Sequence, residues 1–142
     1  MTHPKDLFDK LEQSYDLNDF EAEIFTFMLR SLERFKNKFP DSTKRDFEVA
    51  QSYRLGNSSE QELKEARLRV WKFLDQNRGH IGKSKESILR ALIFTLYPHI
   101  ESDSDAFEWV DWFIGFSNAC TSMETYQCQL IREIFSEQLR NA

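Results

Sequence analysis

The sequence predicts an all-α fold, a single compact antiparallel bundle of about six to seven helices, and three observations carry that expectation. Apolar residues recur at three- and four-residue intervals along most of the chain, the spacing that lines up one face of a helix. No stretch sustains the two-residue alternation with β-branched enrichment that marks a strand. Capping pairs and glycine stops fall where the periodic runs begin and end, so local and longer-range signals agree. With 142 residues, 40% of them apolar, the chain can build one core, and residues 1–142 are expected to form one domain.

Seven helices follow in order. Pro4, tolerated in a first turn where its missing N–H is not needed, opens a short helix with Leu7, Phe8, Leu11 and Tyr15 on one stripe, ending near Asp16. Asn18 and Glu21 have the spacing of a capping pair for the next, in which Phe20, Ile24, Phe27, Met28, Leu32, Phe35 and Phe39 recur until Pro40. Asp41 or Ser42 is expected to cap a third, carrying Phe47, Val49, Ala50 and Tyr53 and stopping at Gly56. Ser59 with Glu62 forms a second capping pair, and Leu63, Ala66, Val70, Phe73 and Leu74 mark a long helix closed by Gly79. Ser84 begins the fifth, with Ile88, Leu89, Leu92, Ile93 and Leu96 inward before Pro98. Phe107 to Phe116 form a very aromatic sixth helix after the acidic linker Glu101 to Asp105. Thr121 with Glu124 is expected to cap the last, carrying Tyr126, Leu130, Ile131, Ile134, Phe135 and Leu139. Phe27, Leu32, Leu92, Leu96, Phe113 and Ile131 are the candidate core.

Several function classes find little support. The longest uncharged run, Trp112 to Met123, has 12 residues, short of the roughly 20 that a membrane-spanning helix needs. The amino terminus, MTHPKDLFDK, is charged where a signal peptide is apolar, so a cytoplasmic location is expected. Eight residues of helix would hold Cys120 and Cys128 about 12 Å apart, beyond the roughly 7 Å limit for a disulfide, so both are expected as reduced, buried thiols. Together with His3, His80 and His99 they lack the close pairing of a zinc site; no metal and no cofactor is expected. No recognisable arrangement of nucleophile or acid-base pair suggests catalysis, leaving a small enzyme as an alternative only.

Three motifs tempt and fail. Gly79-His80-Ile81-Gly82-Lys83-Ser84 has two residues between its glycines where a phosphate loop has four, and follows a helix rather than a strand; a helix stop, a turn and a new start account for it. Glu101-Ser102-Asp103-Ser104-Asp105 opens like a calcium loop, but Ala106 stands where glycine is needed and Trp112 where a bidentate Glu is needed. Val49-Ala50 before Leu55-Gly56 hints at a helix-turn-helix, yet the second helix opens with Glu60, Gln61 and Glu62, which would meet phosphates with negative charge. Nucleic-acid binding through the basic central helices stays as an alternative. The net charge of −5 is unevenly spread: −5 over residues 1–23, +6 over 24–100 and −6 over 101–142. These regions either neutralise one another in the fold or leave an acidic surface able to steer a basic partner.

The aromatic sixth helix offers the candidate site. Phe107, Val110, Phe113 and Ile114 make one stripe, while Trp109, Trp112 and Phe116 make another. Either the helix is buried on two sides, or the second stripe is an exposed partner-binding patch rimmed by Asp105, Glu108 and Asp111. Tryptophan is enriched at binding hot spots, and the acids would favour a cationic partner.

The segment Val49-Ala50-Gln51-Ser52-Tyr53-Arg54-Leu55-Gly56, continuing through Ser59, Leu63, Ala66 and Arg67 to Val70-Trp71, resembles a helix-Gly-Ser-helix element of small helical immunity-type proteins encoded beside bacterial toxins. The resemblance covers about a sixth of the chain and transfers no functional residue. It implies a cytosolic, non-catalytic protein that binds and blocks a toxin; the acidic excess of residues 101–142, read separately, adds the expectation of a basic toxin domain as the protein partner.

Overall fold

A computed structural model describes residues 2–101, 105–119 and 121–142. Among the described residues there are eight α-helices and no strand. Cys120 and most of the Glu101–Asp105 acidic stretch lie outside them, so the expectations placed there have no structural counterpart.

Helix α1 (Pro4–Ser14) begins at the expected proline, and the His3 ring caps it, Nδ1 accepting from the Lys5 N–H at 3.1 Å. Helix α2 (Glu21–Glu33) starts differently from the expectation. Asp16 caps a 3-10 turn, Leu17–Phe20, that leads into α2, while Asn18 and Glu21 reach across to Ala106 and Ile100 instead of pairing as a cap. Asn18 Oδ1 accepts from the Ala106 N–H at 3.2 Å, and Glu21 Oε1 accepts from the Ile100 N–H at 3.1 Å and meets His99 Nδ1 at 3.0 Å. Ile100 lies outside any helix and Ala106 is the first residue of a later one, so neither N–H has a helical partner, and the side chains take them because an unpaired backbone N–H away from water is costly. A second 3-10 turn, Lys36–Lys38, ends the α2 region early, and Phe35 and Phe39 on either side of it are both buried.

Helix α3 (Asp41–Arg54) is preceded by Pro40 at the capping position, so Asp41 is its first helical residue rather than its cap. Gly56, at φ +80°, turns the chain in a conformation that side-chain-bearing residues rarely adopt. The Ser59–Glu62 pair then forms as expected at the start of α4 (Glu60–Gln76): Ser59 Oγ accepts from the Glu62 N–H and Glu62 Oε1 from the Ser59 N–H, both at 3.0 Å. Helix α5 (Lys83–Phe94) starts directly after Gly82, whose φ of +90° makes the sharp entry. Asp105 caps α6 (Ala106–Ser117), Oδ1 accepting from the Phe107 N–H at 2.9 Å.

The expected single last helix is two, α7 (Glu124–Ile134) and α8 (Ser136–Asn141), separated at Phe135, whose ring is wholly buried against Phe8 at 5.8 Å. Nor does Thr121 cap α7. Met123 holds the capping position, and its N–H donates to Asn118 Oδ1 at 2.6 Å. The Asn118 amide also donates to Ile114 O and Gln127 Oε1, each at 2.8 Å, and Gln127 Nε2 donates to Ser117 Oγ at 2.9 Å. This closed polar network ties the end of α6 to the start of α7 without leaving a buried amide unpaired.

The helices pack mainly with their neighbours in sequence, α3 on α4 and α5 on α6, while α1 and α2 both lie against α6 and α7. Phenylalanines knit this centre: Phe27 meets Phe8 at 5.2 Å and Phe113 at 5.9 Å, both edge to face. The candidate core residues Phe27, Leu32, Leu92, Leu96, Phe113 and Ile131 are all buried. Between α3 and α4 lies a buried charge, Asp46, its side chain 2% exposed, whose Oδ1 accepts from Arg69 Nε at 2.8 Å. Burial raises the Asp46 pKa, and the bond and charge of Arg69 pull it part of the way back.

Two stability predictions follow from this packing. Replacing Leu92 by Ala should cost about 2 to 5 kcal/mol in chemical denaturation, since the site is sealed on every side. An acid with a raised native pKa is bound to its proton more tightly in the folded than in the unfolded state. Its contribution is therefore lost as pH rises through the interval above the ordinary carboxylate value. Unfolding free energies measured from about pH 4 to 7 should show that falling component in the wild type and lack it in Asp46→Asn.

Candidate functional site

Among the described residues four large apolar side chains stand exposed: Leu55, Leu68, Trp71 and Trp112. Two of them, Trp71 from α4 and Trp112 from α6, face one groove of about 310 Å³ whose lining also includes Phe94 and Tyr97 beside α6 residues Trp109 and Phe116. Leu68 lies one turn before Trp71 and extends the same apolar face along α4. Six aromatic rings thus converge from three consecutive stretches of chain.

Phe94, at the end of α5, is the hub. Its ring centroid lies 5.2 Å from Trp109, 6.4 Å from Trp112 and 6.1 Å from Phe116, so one ring meets all three members of the second α6 stripe. That stripe divides. Trp109, 5% exposed, is wedged edge to face among Phe25, Phe94 and Tyr97 and belongs to the core, forming the wall of the groove rather than a contact surface. Trp112 is 59% exposed and Phe116 half-buried. Burial on two sides thus holds at Trp109, while Trp112 on the same stripe is exposed.

The acids of the expected rim divide as well. Asp105 is exposed at the cap of α6, and Glu108 is exposed one turn before Trp112. Asp111 is turned toward α1, its Oδ1 3.8 Å from Lys5 Nζ, and is not among the groove-lining residues. Glu101 and Arg90, not anticipated from the sequence, line the groove. Arg90 is exposed and makes no salt bridge among the described residues.

Two arginines hold the floor. Arg67 of α4 donates to Leu96 O at 2.9 Å while its guanidinium lies 4.2 Å above the Tyr97 ring. Arg54 of α3 donates to Tyr97 O and to Pro98 O, and stacks over Phe25 at 3.6 Å. These cations satisfy carbonyls left without partners where α5 ends, the end at which the helix dipole is negative. They also fix the backbone that carries Tyr97. Burial lowers the pKa of Arg54 and raises that of Tyr97, as expected for charges withdrawn from water.

Chemically the groove offers ring faces and edges, one guanidinium and one carboxylate. That set suits the burial of apolar side chains with charge at the margin. No group of His, Cys, Asp and Glu among the described residues is placed to hold a metal ion. No helix among them is long and apolar enough to cross a membrane. Cys128 is buried, its thiol 3.3 Å from Thr2 O, and burial raises its pKa. Compared with protein-family models, with curated proteins and with solved structures, the chain finds no match.

Trp71 and Phe94 are not legible as site residues on a single helix, because the groove they line forms only between helices. Trp71 falls just off the apolar stripe of α4, and that displacement was the available signal. The division of the tryptophans predicts opposite effects of the same substitution. Trp109→Ala should lower stability by about 3 to 5 kcal/mol, whereas Trp112→Ala should lie within about 1 kcal/mol of the wild type in the same denaturation experiment.

Proposed function

We propose that the chain is a non-catalytic protein-binding module that receives a basic partner domain on the groove formed by Trp71, Phe94, Trp112 and Phe116. The observation that carries this reading is the convergence of two exposed tryptophans, from α4 and α6, on one groove. An indole left in water at that position gains by burial against a partner, and such paired aromatic anchors dominate interface energies. Glu101 in the lining and Glu108, exposed one turn before Trp112, offer carboxylates beside the exposed indole, which supports a cationic partner steered by charge. The specific instance implied by the α3–α4 resemblance is a cytosolic immunity-type protein that holds a toxin inactive.

The test is comparative. Proteins captured by the immobilised wild-type chain from its native cells are identified, and those lost on Trp112→Ala are purified for affinity measurement. A basic protein should bind the wild type and lose at least about 2 kcal/mol, roughly 30-fold, with the variant, and Glu108→Lys should slow its association at low salt. Coexpression of the chain should relieve the toxicity of that partner. Partners that bind Trp112→Ala and Trp71→Ala as tightly as the wild type would contradict the reading.

A further inference from the structure

Trp71 and Phe73 are two residues apart, about 200° around α4, so the helix turns Phe73 away from the aromatic groove. Around Phe73 lie two adjoining depressions, one of about 610 Å³ between the 37–41 segment, α4 and α5, the other of about 240 Å³ between α3 and α4. Their lining is of two kinds. Phe39, Phe73, Ile81 and Ile88 make an apolar floor, of which Phe73 and Ile81 are half-buried. Lys38, Lys44, Lys85, Arg45, Arg69 and Lys72 stand around it.

Two acids share this surface, and both are already engaged. Asp41 Oδ1 is 3.3 Å from Lys44 Nζ, and Asp46 is bound to Arg69. Glu86, next to Lys85, accepts the Gly79 N–H at 2.8 Å across the Gly79–Ser84 turn. Lys38, Arg45, Lys72 and Lys85 are all exposed and make no salt bridge among the described residues. The result is an excess of four positive charges on one face of a chain whose net charge is −5.

We propose that this face is a second docking surface, for an acidic amphipathic segment of a partner protein: its apolar side chains cover the Phe73 floor and its carboxylates meet Lys38, Arg45, Lys72 and Lys85. A nucleic acid would satisfy the cations and leave most of the floor unmatched. Strand binders add aromatic platforms on which successive bases stack, and Phe73 is the one partly exposed ring among the residues lining these depressions. A segment carrying apolar and acidic side chains on one face satisfies floor and rim together. The surface lies apart from the Trp112 groove, so it stands or falls separately from the proposal made for that groove.

Three labelled probes of equal length test this by fluorescence polarisation: a helix-forming peptide with Leu and Glu on one face, a poly-Glu peptide, and a single-stranded oligonucleotide. The amphipathic peptide should bind at least about tenfold more tightly than either of the others. Lys72→Glu/Lys85→Glu should weaken it at least about tenfold, with an unchanged circular dichroism spectrum, while Trp112→Ala binds it as the wild type does. Equal binding of poly-Glu would reduce the surface to undirected charge attraction, and tighter binding of the oligonucleotide would make it a nucleic-acid surface. Either result overturns the proposal, as does absence of binding or indifference to the double substitution.

Discussion

Helix α6 carries more aromatic surface than one side of a core can cover, and Phe94 at the end of α5 resolves the excess. Its ring touches Trp109, Trp112 and Phe116 at once, so α5 covers the second stripe of α6 at its inner edge and leaves the outer edge in water. The position of Phe94 depends in turn on how α5 ends. Arg54 and Arg67, from two earlier helices, bind the carbonyls of Leu96, Tyr97 and Pro98, so α3 and α4 are clamped to the same short stretch of backbone. On its other side that stretch is held by Glu21 through Ile100, and α6 begins where Asn18 takes the Ala106 N–H. The groove is thus a consequence of tertiary anchoring and not of any one helix.

This arrangement explains how much could be read in advance. The all-α fold and the sealed positions of α5 and α6 were legible because their signals are local: the Ser59–Glu62 capping box, the turn at Gly56 and the three- and four-residue spacing of Leu89, Leu92 and Leu96. Caps failed where a long-range partner competed. Asn18 and Glu21 have the spacing of a cap but serve the N–H groups of Ala106 and Ile100, 88 and 79 positions away, and at the entry to α7 Asn118 takes the Met123 N–H while no side chain caps the helix itself. The break at Phe135 was hidden for a related reason, since periodicity counts a buried ring alike in a continuous helix and at a kink between two.

The candidate site was legible by half. Trp112 and Glu108 could be found on one helix wheel, because exposure there follows from a stripe that the core does not use. Trp109 belongs to the same stripe and is buried, a distinction set by Phe25 and Tyr97 approaching from α2 and from the end of α5. Trp71 and Arg90 enter only once α4 and α6 are known to flank α5. Charge behaves similarly: the basic middle of the sequence is not neutralised in the fold around Phe73, where the acids present are fewer and already paired.

The claim on which the account rests is that one aromatic stripe is divided between core and solvent. Fluorine NMR of the protein labelled with 5-fluorotryptophan reads this directly, since each of the three indoles gives its own resonance, and exchange of H₂O for D₂O shifts only those in contact with solvent. Assigned by single Trp→Phe substitutions, Trp112 should show the largest solvent isotope shift, Trp71 a smaller one, and Trp109 almost none, following exposures of 59%, 38% and 5%. A Trp112 resonance as insensitive to solvent as that of Trp109 would contradict the account.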